Sequence, residues 1–414
     1  MMSPIMYQNL AVLAGFILVY SIVAGRMQRS LVGGAILFTG FGLLFGPTGL
    51  GWLQPQLRGA GLHVLAELAL ALVLFTDAAS VDMAVLRRNL TMPVRLLLIG
   101  LPLTMLLGFI AGIMIFDHLP LLELALLAVI LAPTDAALGK AVVTNPVVPG
   151  AIRNSLNVES GLNDGICVPV ILILLVLALE LEAGGAPLHL ALTTFGEEIG
   201  IGLAVGIGCV GLTVPAVRFA LQRQWTDQVW LQFTVPALAL LCFATAQASG
   251  GSGFIACFVA GLLAGVLIRR HKHAILRPAE GIGETLSLLT WVLFGAVVVG
   301  RSGDLLSPDV LLYAVLSLTI IRMVPVFLAL TGSRLSAMDK LFVGWFGPRG
   351  LASIVFTILV LDAGVEGEGV IVATAVWTII LSVVAHGVTA RPFATWLGRR
   401  SGAPSTVPPN GDPG

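Results

Sequence analysis

Seven ionisable residues stand inside long apolar runs: Glu67, Asp77, Asp135, Glu159, Asp164, Arg322 and Arg349. A charge held in such a run costs on the order of a few kcal/mol, so each needs a reason. The densest group joins Leu131-Ala-Pro-Thr-Asp135 to Glu159-Ser-Gly-Leu-Asn-Asp164-Gly165. Pro133 has no N–H for a helix ladder and clashes with the preceding turn, so a break is expected there. The backbone groups it frees are tolerated in a membrane only where protein buries them or water reaches them. Thr134 and Asp135 sit at this break, where a half-helix N-terminus favours a carboxylate. In the second run, residues four apart share a helix face, so Glu159 neighbours Asn163 and Ser160 neighbours Asp164. A hydroxyl and a carboxylate then point together, a set of hard oxygen ligands suited to a cation such as sodium. Asn163 is placed to hydrogen-bond Glu159.

The basic partners come late in the chain. Arg322 lies in Thr319-Ile-Ile-Arg322-Met-Val-Pro325, and Arg349 in a second break, Gly347-Pro348-Arg349-Gly350. A buried arginine stays charged and wants a carboxylate. Arg322 is the first choice to neutralise Glu159, and Arg349 the second. Glu67, about a turn into its run, is either a helix-start acid favoured by the dipole or a further site residue. Asp77, Glu123, Glu197 and Glu198 lie close to the ends of apolar runs and are expected at the membrane interface.

The elements that position these residues are membrane-spanning helices. Of 414 residues, 57 % are hydrophobic and only 11 % charged, against about 25 % charged in soluble domains. Basic and acidic residues balance at 22 each, which excludes a basic nucleic-acid binder. The four cysteines lie in apolar runs without CxxC spacing and read as small buried residues. About thirteen candidate spans occur between residues 7 and 390, each near the length that crosses a bilayer. The expected organisation is a transmembrane domain over 1–396 and a short disordered polar tail over 397–414. The first apolar run lacks a basic leader and reads as a span, not a signal peptide. Eighteen of the 22 basic residues fall in alternate loops and two in the others. This bias places the N-terminus outside and the C-terminus in the cytoplasm of a cell-membrane protein. The loop Arg269-Arg-His271-Lys-His273 orients the chain or senses pH or anionic lipid. The remaining histidines, His63, His118, His189 and His386, are too scattered to suggest a metal site.

The two breaks fall in the fifth and twelfth spans, corresponding places in two halves if the seventh span is a linker. Paired interrupted spans are the sequence sign of an inverted-repeat transporter with a midplane site. Pro-Thr-Asp (133–135), Glu-Ser-Gly-Leu-Asn-Asp-Gly (159–165) and Gly-Pro-Arg-Gly (347–350) resemble the monovalent cation:proton antiporter-1 family. That family includes bacterial NhaP sodium/proton exchangers and animal sodium/hydrogen exchangers. The resemblance covers about residues 10 to 395. It implies an all-α inverted-repeat antiporter fold with two crossing broken helices, interleaved dimerisation and core subdomains, and a homodimer. It makes Asp164 the essential ion- and proton-carrying carboxylate, with Thr134, Ser160 and Glu159 at cation-site or supporting positions and Asp135 capping the broken helices. Na+ would then sit at Asp164, Ser160 and Thr134, as cargo and not cofactor; no cofactor is implied. Asn163 stands where electrogenic relatives carry a second aspartate, so one proton is expected per cation. Family members commonly have Thr-Asp-Pro, whereas here Pro133 precedes and Ala136 follows.

Other readings share these residues. Potassium/proton exchange, or a broad sodium, lithium and potassium specificity, keeps the fold. A proton-coupled carrier of organic anions needs a midplane cationic site. An intramembrane aspartyl protease would use Asp135 and Asp164 sharing a proton to activate water.

Overall fold

In lipid, an apolar run can satisfy its own backbone N–H and C=O groups only as helix or closed barrel. The chain takes the first course. The computed structural model describes residues 4–27, 33–54, 60–81, 91–182, 188–268, 272–303 and 305–400. In order these form α1 (Pro4–Met27), α2 (Gly34–Phe45), α3 (Ala60–Ser80), α4 (Thr91–Ile115), α5 (Leu121–Ile130), α6 (Lys140–Val143), α7 (Gly150–Glu182) and α8 (Leu188–Gln222). There follow α9 (Gln228–Ala248), α10 (Gly253–Leu267), α11 (Lys272–Leu293, continued by a π-helical stretch Phe294–Val299), α12 (Pro308–Leu318) and α13 (Ile320–Ala329). The last are α14 (Ala337–Trp345), α15 (Leu351–Ala363) and α16 (Glu368–Arg400). Among the described residues, nine helices are long and apolar enough to cross a membrane, α12 and α13 counting as one. The other four of the thirteen expected spans correspond to the shorter apolar helices α2, α5, α10 and α15. Two of these, α5 and α15, are arms of broken spans.

α16 runs on to Arg400, past the expected boundary at residue 396, with Leu397 buried and Gly398 packed against Val147. Residues 401–414 and the loop residues Arg269, Arg270 and His271 lie outside the described residues.

α3 is the hub of the bundle, with α7, α10, α11 and α15 packed on it. Its contact with α10 depends on small residues. A Cβ on Gly261 would collide with the Phe75 carbonyl oxygen, and one on Gly265 with that of Ala79. This is small-xxx-small packing, in which helix backbones approach closely enough for dispersion to hold them.

Both expected breaks are present, and they meet. α5 stops at Ile130, and residues 131–139 run without helix to α6. α14 stops at Trp345, and residues 346–350 run without helix to α15. The Asp135 amide donates to the Pro348 carbonyl at 2.8 Å, and the Ser353 hydroxyl to the Ile130 carbonyl at 2.8 Å. Each break thus supplies the partners that the other lacks.

A third interruption had no sequence signal. Thr319, with φ −112° and ψ −95°, separates α12 from α13. No glycine or proline lies within the four residues before it.

Candidate ion-binding site

α7 carries Glu159, Ser160, Asn163 and Asp164, all buried within the membrane domain. Asp164 is 8 % exposed and Asn163 wholly buried. The first break presents Thr134 to this helix. Its Oγ1 lies 3.0 Å from the Ser160 Oγ and accepts from the Asn163 side-chain amide at 2.8 Å. The expected bond from Asn163 to Glu159 is therefore not made; the amide turns to Thr134, because the break brings an unpaired hydroxyl to it. Asp164 Oδ1 and Asn163 Oδ1 are buried with no hydrogen-bond partner among the described residues. Together these side chains offer oxygens, the donor set of a hard cation.

Glu159 is engaged elsewhere. Arg322 Nη2 stands 2.6 Å from its Oε1, and both side chains are 1 % exposed. Arg322 reaches it from the first turn of α13, just past the interruption at Thr319. Arg349, the second choice for this pairing, takes another role. Its Nη1 donates to the carbonyls of Ala132 (3.2 Å), Pro133 (3.3 Å) and Gly347 (3.3 Å). Its Nη2 donates to that of Ser317 (3.3 Å). Carbonyls of three interrupted helices take its two terminal nitrogens, where the sequence suggested a carboxylate, and its Nε has no hydrogen-bond partner among the described residues.

Asp135 closes the crossing from the other side. Its Oδ1 accepts from the Ala137 and Leu138 amides at 2.7 and 3.3 Å. Its Oδ2 accepts from the Leu351 amide at 3.1 Å, at the N-terminus of α15. The carboxylate thus serves the positive end of the opposite broken helix as well as its own loop. Gly350 leaves the space it occupies: a Cβ there would collide with the Asp135 side chain. A Cβ on Gly347 would press on Arg322 and lie 3.0 Å from Thr134 Cγ2.

Three further acidic positions stood out in the sequence. Asp77, expected at an interface, packs against Gly161: a Cβ on that glycine would lie 3.6 Å from Asp77 Cβ and 3.4 Å from its carbonyl oxygen. It approaches α7 one turn before Asp164, and the cue was Gly161 itself, a small residue inside a polar helical run. Glu123, in the first turn of α5, is buried. Glu67 lies about 15 Å along α3 from Asp77. His63 Nε2 is 3.0 Å from Glu67 Oε1, while its Nδ1 meets Asp362 at the end of α15. Glu67 therefore belongs to a separate, partly exposed cluster.

Sequence reading passed over His386 and Ser382. The Arg349 amide donates to Ser382 Oγ at 2.7 Å, and Ser382 Oγ lies 3.2 Å from His386 Nδ1. His386 Nε2 lies 2.7 Å from the carbonyl of Trp345. His386 Nδ1 also lies 2.8 Å from the Ser382 carbonyl, and these contacts tie α16 to both sides of the second break. Nothing in the isolated histidine signalled this; only the fold brings it to the break.

Residues 14–396 match the family described as the transmembrane region of the sodium/hydrogen exchanger. The chain belongs to that family. This exchanger is 28 % identical to the K(+)/H(+) antiporter NhaP of Alkalimonas amylolytica, over 97 % of the chain and 70 % of that protein. It is 24 % identical to the K(+)/H(+) antiporter NhaP2 of Shewanella sp. (strain ANA-3), over 91 % of the chain and 64 % of that protein. It thus spans about two thirds of these relatives' length. The sodium proton antiporter MjNhaP1 from Methanocaldococcus jannaschii at pH 8 shares its fold, with a TM-score of 0.75 and 20 % identity. That match covers 92 % of this exchanger and 98 % of that chain. Family and fold are those of a multi-pass membrane transporter, and the committed hydrogen bonds of Asp135 give no support to the protease reading.

Proposed function

We propose that this exchanger moves one monovalent cation against one proton, with Asp164 as the group that takes either. The observation that carries this is a buried carboxylate oxygen with no hydrogen-bond partner among the described residues, beside the hydroxyls of Thr134 and Ser160. An ionised carboxylate in such a place costs several kcal/mol until something neutralises it. A proton or a cation at Asp164 meets that need equally, and the two exclude each other. The core can reorient when the charge is cancelled and is held back when it is bare. Cation binding on one face and protonation on the other then give exchange.

The neighbouring charges support a single exchangeable proton. Glu159 is balanced by Arg322, Asp135 is held by three backbone N–H groups, and Asn163 cannot ionise. The cycle is therefore electroneutral. Asp77, against Gly161, adds negative charge that attracts cations toward the site. The cell membrane as location, a cytoplasmic C-terminus and a homodimer belong to the same proposal.

Sodium is the first expected cargo. The names of the two relatives favour potassium as a second reading. Proteoliposomes carrying an imposed pH gradient, challenged with sodium, lithium and potassium, decide between them. The proposal expects cation-induced collapse of the gradient in the wild type and none in Asp164→Asn. No response to any of the three from folded protein would refute it.

A further inference from the structure

A large cavity lies apart from Asp164, between α3, α8, α9, α10 and α11. Its volume is about 650 Å³, in the range of small-molecule sites. Phe75 and Ala79 line it. Asp77, two residues from Phe75 and so about 200° around the helix, faces Gly161 on the other side of α3. The sequence explains the space. α8 contains Pro215 and α9 contains Pro236, about 11 and 12 Å from the end at which the two helices are joined. A proline at each level removes a ladder bond and favours a bend, and residues next to each proline, Val214 and Val217 on α8 and Val235 and Leu238 on α9, line the cavity.

The lining is amphipathic in a definite order. Among the described residues Arg218 is the only charged one that lines it, and none of them brings a carboxylate. It stands near the mouth, where Nη2 donates to the Leu267 carbonyl at the end of α10 (2.7 Å). That bond fixes the side chain and leaves its other N–H groups free among the described residues. Thr234 and Thr213 lie deeper, and neither hydroxyl has a hydrogen-bond partner among the described residues. The remaining wall is mostly apolar, including Val214, Val217 and Leu238. Exposed Arg223 and Arg277 lie at the same basic end of the bundle.

We infer that this cleft is a binding site for an anionic phospholipid. The phosphate rests on Arg218, Thr234 and Thr213 donate to the ester carbonyls below it, and one acyl chain fills the apolar depth. An anchored cation over an apolar slot is complementary to a negative charge on a hydrocarbon stem, and to no zwitterion equally well.

The test uses the full chain purified in detergent, with phosphatidylglycerol and phosphatidylcholine of identical acyl chains offered together. Native mass spectrometry counts the retained lipids, and thermal unfolding is followed in each lipid separately. Phosphatidylglycerol is expected to be retained about fivefold better, the preference that one basic side chain gives one lipid charge, and to raise the unfolding midpoint. Arg218→Gln abolishes the preference. Val217→Trp, which fills the slot without touching the charge, abolishes retention of either lipid. Equal retention of the two lipids by the wild type would overturn the inference, as would phosphatidylglycerol retention unchanged in Val217→Trp. Displacement of the phospholipid by oleate alone would assign the slot to free fatty acids and overturn it as well.

Discussion

Arg322 and Glu159 determine how much negative charge surrounds Asp164. Removing one partner of a fully buried pair strands the other, at about 3–5 kcal/mol. Arg322→Leu should therefore lower the unfolding free energy by about that amount, whereas the double variant Glu159→Leu/Arg322→Leu should recover most of it. Denaturant unfolding in detergent measures both. Asn163→Asp places a second ionisable group beside Thr134, so its transport should become sensitive to membrane voltage where wild-type exchange is not. Transport by Asn163→Asp that stays indifferent to voltage would remove the stoichiometric reading. At this scale the sequence was informative about residue types and less so about partners. Charges in apolar runs were visible as anomalies, and helix spacing placed four polar side chains on α7. The spacing could not tell that Asn163 would turn to Thr134, since that bond spans 29 residues and needs the break to form. Nor could it tell that the terminal nitrogens of Arg349 would be taken by carbonyls of helices that end beside it.

The broken elements hold one another. Pro348 takes the amide of Asp135, Arg349 takes the carbonyls of Ala132 and Pro133, and Gly350 leaves room for the Asp135 carboxylate. Gly350→Ala should thus abolish exchange and lower stability, because its Cβ overlaps the Asp135 side chain; a cation-flux assay beside a thermal unfolding curve checks both. His386 acts through Ser382 on the second break. His386→Ala should raise the cation concentration needed for half-maximal flux, and His386→Gln, which keeps a donor and an acceptor, should restore part of it. An unchanged concentration dependence with lowered stability alone would reduce His386 to a packing role. Pro133 and Pro348 announced their breaks because proline cannot continue a ladder. The interruption at Thr319 was silent: its cause is tertiary, with the Ser317 carbonyl accepting from Arg349.

For the molecule as a whole, composition fixed the solvent: with 57 % hydrophobic residues the chain has to be read as a membrane protein. Charge asymmetry among loops then predicts orientation, and an enzyme reporter fused after Arg400 should be active only in the cytoplasm. The paired breaks made the inverted repeat legible before any coordinates, while the hub position of α3 and the cavity beside it depend on helix contacts that no local pattern encodes. The central claim is competition at one carboxylate, and proton release on cation binding tests it most directly. Titrating the purified exchanger with its cation in buffers of different ionisation enthalpy counts the protons released. The count should tend to one per cation in the wild type as the pH is lowered, and no release should occur in Asp164→Asn. Cation binding to the wild type without proton release, or release unchanged in Asp164→Asn, would contradict the mechanism.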